Sequence, residues 1–156
     1  MFAIGDDVVY AMHGAGKVKA IEEKKILGEV KSYYILHITN GNMEIMVPTK
    51  GESAGLRSIV DAETISQVGN TLAAESTPMD DNWNRRNREN MEKLKTGDVF
   101  EVAEVIRNLL RIDRVKRLSA GEKKLLQNAR QILASEIAVV NNIQLDEAQE
   151  YIDSRV

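Results

Sequence analysis

The hydrophobic pattern of this chain changes period near residue 60, and that change decides what the chain can fold into. Up to Pro48 apolar and polar residues alternate, the pattern of half-buried strands. Beyond Asp61 apolar residues recur at three and four positions, the pattern of helices packed on a core. A chain ordered in this way folds as α+β, with a small antiparallel sheet followed by an all-α bundle. Its 156 residues suffice for one ordinary domain or two small ones. With 43% hydrophobic and 29% charged residues it is neither disordered nor fibrous as a whole.

The first half reads as short strands. Val8-Val9-Tyr10 is rich in strand formers, and a tight turn is expected at His13-Gly14-Ala15-Gly16. Val18 and Ala20 then alternate with Lys17, Lys19 and Ile21. Gly28 separates KKIL from VKSYYILHI, where Tyr33, Ile35 and Ile38 favour a strand. Asn40-Gly41 lies between two alternating runs and predicts a hairpin, since both residues tolerate positive φ. Met43, Ile45 and Val47 share one face of the last strand, which Pro48 ends. Four or five such strands make a strongly bent sheet or barrel. The turn-rich stretch Lys50 to Ser58 reads as a connector.

The second half predicts five helices. The first covers Asp61 to Leu72. The second starts from a capping Thr77 with Pro78 in its first turn and runs to about Lys95, where Gly97 stops it. Asp98 caps the third, whose stripe is Val99, Val102, Ala103, Ile106, Leu109 and Leu110. Ser119 and Glu122 form a capping box at the start of the fourth, which buries Leu125, Leu126, Ala129, Ile132, Leu133 and Ile137. A fifth lies around Asp146–Ile152. The expected division is a β domain over residues 1–52, a connector over 53–60 and a helical domain over 61–156.

Several function classes are excluded or disfavoured. There is no cysteine, hence no disulfide, thiolate metal site or cysteine nucleophile. Apolar runs reach four or five residues, against the roughly 20 that a membrane helix needs. The N-terminus shows no secretory signal pattern. Gly14-Ala15-Gly16-Lys17 fails as a phosphate loop, because Ala11 and Val18 stand where glycine and Ser or Thr are required and a strand follows. His13 and His37 have no triad or metal spacing around them, and Asp6-Asp7 and Asp80-Asp81 read as solvated caps. No catalytic residue, metal, cofactor or small-molecule ligand is expected.

Charge carries the functional signal. The formal net charge is −3, which argues against a polyanionic partner. Yet residues 1–60 are neutral, 61–82 carry −5, 83–130 carry +6 and 131–156 carry −4. The basic block begins at Trp83, the sole tryptophan, with Arg85, Arg86 and Arg88 beside it. Such a block is a local footprint for nucleic acid inside an acidic chain. Trp83 packs across the junction of the two halves, or it stands exposed to stack on or wedge between bases while the guanidiniums hold phosphates. Arg107, Arg111, Arg114, Lys116, Arg117, Lys123, Lys124 and Arg130 would extend the basic surface. In the first half, Lys24-Lys25-Ile26 and the strand Glu44-Ile45-Met46-Val47 could border an exposed edge that pairs with a partner; the lysines also read as guards against aggregation.

These segments resemble the CarD/CdnL family of bacterial transcription regulators that bind RNA polymerase. The resemblance rests on FAIGDDVVYAMHGAGKVKAIEE, the hairpin ending MEIMVP, NWNRRNRENMEKLKTGDVFEVAEVIRNLL and LSAGEKKLLQNARQILASEIA. The first half is similar to the polymerase-interacting domain of the transcription-repair coupling factor. The resemblance implies a Tudor-like β-barrel that docks on the polymerase β subunit, and a helical domain that touches promoter DNA at the upstream edge of the melted region. It implies that Trp83 wedges into the minor groove, that Arg85, Arg86 and Arg88 contact the backbone, and that Lys123 adds a further basic contact. Lys24 falls on a basic polymerase contact, and Met46 stands where some members carry arginine.

The expected function is therefore a cytoplasmic, nucleoid-associated transcription regulator that stabilises the open complex without strong sequence specificity. Its DNA-binding set is Trp83, Arg85, Arg86, Arg88, Arg114, Lys123 and Lys124; its polymerase-binding set is Lys24, Lys25, Ile26, Glu44 and Met46. A monomer is expected, with a strand-swapped dimer conceivable through the barrel edge. The alternative is an adaptor that binds polymerase or another protein without touching DNA.

Overall fold

The computed structural model describes residues 1–50 and 55–156. The chain is a two-domain α+β protein. Strands β1 (Asp7–Tyr10), β2 (Gly14–Ile26), β3 (Glu29–Ile38), β4 (Met43–Pro48) and β5 (Leu56–Ser58) form one antiparallel sheet in the order β4-β3-β2-β1-β5. Helices α1 (Ala62–Ala73), α2 (Trp83–Lys95), α3 (Val99–Val115), α4 (Ala120–Asn141) and α5 (Leu145–Arg155) follow.

The sheet differs from the expected one in three places. The turn predicted at 13–16 lies earlier, at Ala11–His13, and Gly14 to Gly16 are already strand. The hairpin at Asn40-Gly41 has a four-residue loop, Thr39–Asn42, with positive φ at Gly41 and Asn42, because Ile38 pairs with Met43. The expected connector contributes β5, where Leu56, Arg57 and Ser58 pair with Tyr10, Val9 and Val8. The connector's residues 51–54 lie outside the described residues.

A register shift between Val18 and Ala20 bends β2, since a bulge adds a residue and local twist. Beyond it, β2 and β3 continue as an arm to the turn Leu27-Gly28, where both residues have positive φ as a two-residue hairpin requires. Val8, Val18, Tyr34, Leu36, Ile38 and Val47 make the sheet's core. Gly16 opposes Ile38, and a Cβ there would lie 2.4 Å from the His37 carbonyl oxygen. Gly16→Ala should therefore cost about 2 kcal/mol or more through backbone displacement, measured as a lowered urea midpoint.

The helices form on local signals. Asp61, Asn82, Asp98 and Ser119 each accept a backbone N–H from the turn they cap. Asn142 ends α4 in the left-handed conformation. One stripe from each helix meets in a second core centred on Val68, Leu72, Ile106, Leu109, Leu133, Ile137 and Ile152. The second helix begins at Trp83, not at Thr77. Thr77 is tied to α3 instead: its Oγ accepts from Asn108 Nδ2 at 2.8 Å and its N–H donates to Asn108 Oδ1 at 3.2 Å. Asn108 is buried and needs those partners, so Thr77 is unavailable as a cap and Asn82 takes the role.

Candidate nucleic-acid interface

Trp83 is the first residue of α2. Asn82 caps the helix by accepting from the Asn84 and Arg85 amides at 3.0 and 3.2 Å. The indole is 52% exposed and belongs to neither core cluster. It therefore does not pack across the junction of the two halves, one of the two placements the sequence allows. Arg85 and Arg88 are exposed on the same first turns. Arg85 lies 3.3 Å from Asp80, an ion pair in water that holds it loosely. Arg88 has no ion pair among the described residues.

Arg86 is the main departure from the expected contact set. It is 9% exposed, and its Nε and Nη2 donate to both carboxylate oxygens of Glu122 at 2.7 and 2.8 Å. A guanidinium so committed is not free to contact phosphate. Glu122 is 1% exposed and also accepts from the Ser119 hydroxyl at 3.1 Å. Burial pushes the Glu122 carboxyl up, but the bonds from Arg86 and Ser119 outweigh it and hold the group below the usual carboxylate range. The bond to Glu122 raises Arg86 in turn. The pair pins the N-terminal turn of α2 to that of α4. It thereby sets the exposed Lys123 and Lys124, both without an ion pair among the described residues, on the same end of the bundle as Trp83.

Other members of the basic block are internal ties. Arg114, in the expected contact set, donates to the carbonyls of Val156 and Asp153 at 2.6 and 3.0 Å, so its guanidinium closes the C-terminus of α5. Arg107 is buried and reaches the Thr71 carbonyl at 3.0 Å; burial lowers its pKa. Arg111 donates to the Leu72 and Ala73 carbonyls at 3.3 and 3.4 Å. Arg130 pairs with Asp153. Lys116 and Arg117 are exposed and have no ion pair among the described residues.

The second expected set lies on the sheet. Cross-strand pairing places Lys24 opposite Lys31, Ile26 opposite Glu29, Met46 opposite Ile35 and Glu44 opposite His37. Since β3 side chains alternate between faces, Lys24, Ile26, Glu44 and Met46 share one face and Lys25 the other. β4 is an edge strand. Met46 and Ile26 are 46% and 42% exposed on it and on the arm. Glu44 is taken by Lys19 at 2.6 Å, which holds the Glu44 carboxyl below its usual range and raises the Lys19 ammonium. Lys24 lies 3.2 Å from Glu22.

Among the described residues, no group of three or more His, Asp or Glu could hold a metal, and no helix is long and apolar enough to cross a membrane. The chain thus joins a sheet with an open edge to a helical bundle that displays an exposed tryptophan beside exposed bases. Residues 67–153 match the family described as CarD, C-terminal domain, and residues 2–60 match the CarD-like/TRCF RID domain. The chain belongs to the CarD family, and its role is in transcription. A Bacillus subtilis (strain 168) protein named "Putative transcription factor YdeB" is 40% identical over 144 residues, which is 92% of this chain and 94% of that protein.

Proposed function

We propose that the β domain docks on the β subunit of RNA polymerase through the β4 edge and the arm, and that the helical domain contacts promoter DNA at the upstream edge of the melted region. The observation that carries this reading is the half-exposed Trp83 on a capped helix end, with Arg85, Arg88, Lys123 and Lys124 exposed nearby. An exposed edge strand offers unpaired backbone groups to a partner strand, while Met46 and Ile26 supply apolar contact. Docking raises the local concentration of the DNA-contacting face, so weak backbone contacts become sufficient. Trp83 inserted at a base step opposes closure of the melted DNA, a distortion that costs a few kcal/mol and is offset by the cationic contacts around it. Readout is then of backbone and shape, with little sequence preference. The competing reading, an adaptor without DNA contact, calls for a covered indole, and the exposure of Trp83 counts against it.

One experiment separates the two faces. Charge reversal of Lys24 with Lys25 should abolish capture of RNA polymerase while leaving intrinsic DNA affinity unchanged. Replacing Arg88, Lys123 and Lys124 by Gln should do the converse and flatten the salt dependence of DNA binding, by up to ~0.9 in log–log slope per lost phosphate contact. DNA affinity that ignores both salt and these substitutions would leave the adaptor standing.

A further inference from the structure

The Gly14-Ala15-Gly16 run is where the sheet meets the bundle. The Ala15 amide donates to Ser135 Oγ of α4 at 2.9 Å, and the Ser135 hydroxyl donates to the Ile132 carbonyl at 2.6 Å. Gly14 has φ +95, and a Cβ there would lie 2.7 Å from Ser135 Oγ and 3.5 Å from the Ile132 backbone. Glycine is required for conformation and for closeness at once. One residue further along α4, Glu136 takes both ends of the Arg57 guanidinium of β5 at 2.7 Å each. Arg57 Nε donates to the Gly97 carbonyl at 2.7 Å, and the Val60 amide donates to Glu136 at 3.1 Å. Glu136 is 2% exposed. The void beside these groups measures about 10 Å³, the room of a single water.

These contacts are directional, and they tie two strands to the middle of α4 and to the turn before α3. An apolar seam can slide with little loss, but a buried carboxylate held by three donors has one low-energy arrangement. Neither Arg57 nor Glu136 belongs to either binding face described above, so the function leaves this cluster without a use.

We propose that Arg57 and Glu136, with the Gly14–Ser135 seam, lock the sheet and the bundle into one rigid body and so fix the placement of Trp83 relative to the β4 edge. The inference rests on the reading of the two faces given under Proposed function. Arg57 and Glu136 are then positioning residues: they touch neither polymerase nor DNA, but they deliver the wedge in register once the edge has docked. A loosened joint would spread Trp83 over many positions and lower its effective concentration at the base step.

The chain has no cysteine, so Glu29→Cys with Glu150→Cys gives a unique pair of exposed spin-label sites on the arm and on α5. The labelled pair is used for distances in the free protein alone, while affinities and lifetimes are measured on chains without the two cysteines. The full chain should show one narrow inter-label distance. Glu136→Gln and, separately, Arg57→Lys should broaden it. In both variants the gain in open-complex lifetime should fall about tenfold, while affinity for polymerase alone and for DNA alone changes less than about twofold. Arg57→Lys keeps the charge without the two-oxygen clasp, and serves should Glu136→Gln fail to give a cooperative unfolding transition. A broad distance in the parent protein, a narrow one in both variants, or an undiminished lifetime gain in a variant with a broadened distance would overturn the lock. If Trp83→Ala leaves the lifetime gain intact, the DNA reading falls and the distance distributions alone decide the lock.

Discussion

Trp83→Ala should abolish the lengthening of open-complex lifetime while leaving polymerase binding and the fold intact. The expectation follows from where the indole sits. Trp83 is 52% exposed, occupies the first position of α2, and contributes to neither core. Its removal should change stability by under about 0.5 kcal/mol, as for other surface substitutions. The helix start is held by Asn82 and by the Arg86–Glu122 pair, neither of which needs the indole. A base–aromatic stack is worth about 1–3 kcal/mol, so its loss shortens the lifetime by roughly 5- to 150-fold. Trp83→Phe keeps a stacking surface and should retain part of the effect. The measurement is the decay of competitor-resistant complexes on a promoter where the parent protein acts. An unchanged lifetime, with the variant still bound to polymerase, would remove the wedge from the mechanism.

Ten of the thirteen bases in the +6 block read from the sequence fall into two groups in the structure. Arg86, Arg107, Arg111, Arg114 and Arg130 point inward or onto helix ends and hold the bundle together. Arg88, Lys116, Arg117, Lys123 and Lys124 remain exposed without ion pairs among the described residues. Those five ties are all arginines because a planar fork of five donors matches carbonyls and carboxylates. The free basic surface is thus smaller than the local count of bases suggests.

Helix number, two of the four side-chain caps, Asp98 and Ser119, and the α3 and α4 stripes were legible because each is encoded within a few residues. The strands of the hairpins were legible for the same reason. What escaped depends on partners far along the chain. Arg86 and Glu122 are 36 residues apart, Ala15 and Ser135 are 120 apart, and Arg57 and Glu136 are 79 apart. Local spacing cannot separate an arginine aimed at a buried glutamate from one aimed at solvent. Thr77-Pro78 illustrates the reverse error: a good local cap signal lost to Asn108, which claims the Thr77 side chain from α3. β5 was hidden because three residues in a turn-rich stretch carry no periodicity; only the exposed flank of β1 makes them a strand.

Arg86→Ala should be among the most destabilising single changes in the helical domain, at about 3–5 kcal/mol near neutral pH. The change leaves Glu122, 1% exposed, charged and without its two guanidinium bonds. In the parent protein Glu122 titrates below its usual range, so its ionised form contributes stability that is present above the unfolded-state pKa and lost as pH falls through the folded one. In the variant, burial is no longer opposed by Arg86, and the carboxyl shifts upward instead. It then penalises folding whenever it is ionised. The difference between the two proteins should therefore be largest near neutrality and shrink as pH falls through the ordinary carboxylate range. Replacing both partners by apolar residues, Arg86→Met with Glu122→Leu, removes the stranded charge and should recover most of the loss, less about 1 kcal/mol for the capping box. Urea unfolding at neutral and acid pH measures all three proteins. A loss that stays the same at both pH values would mean that Arg86 acts through its packing and not through the buried charge of Glu122.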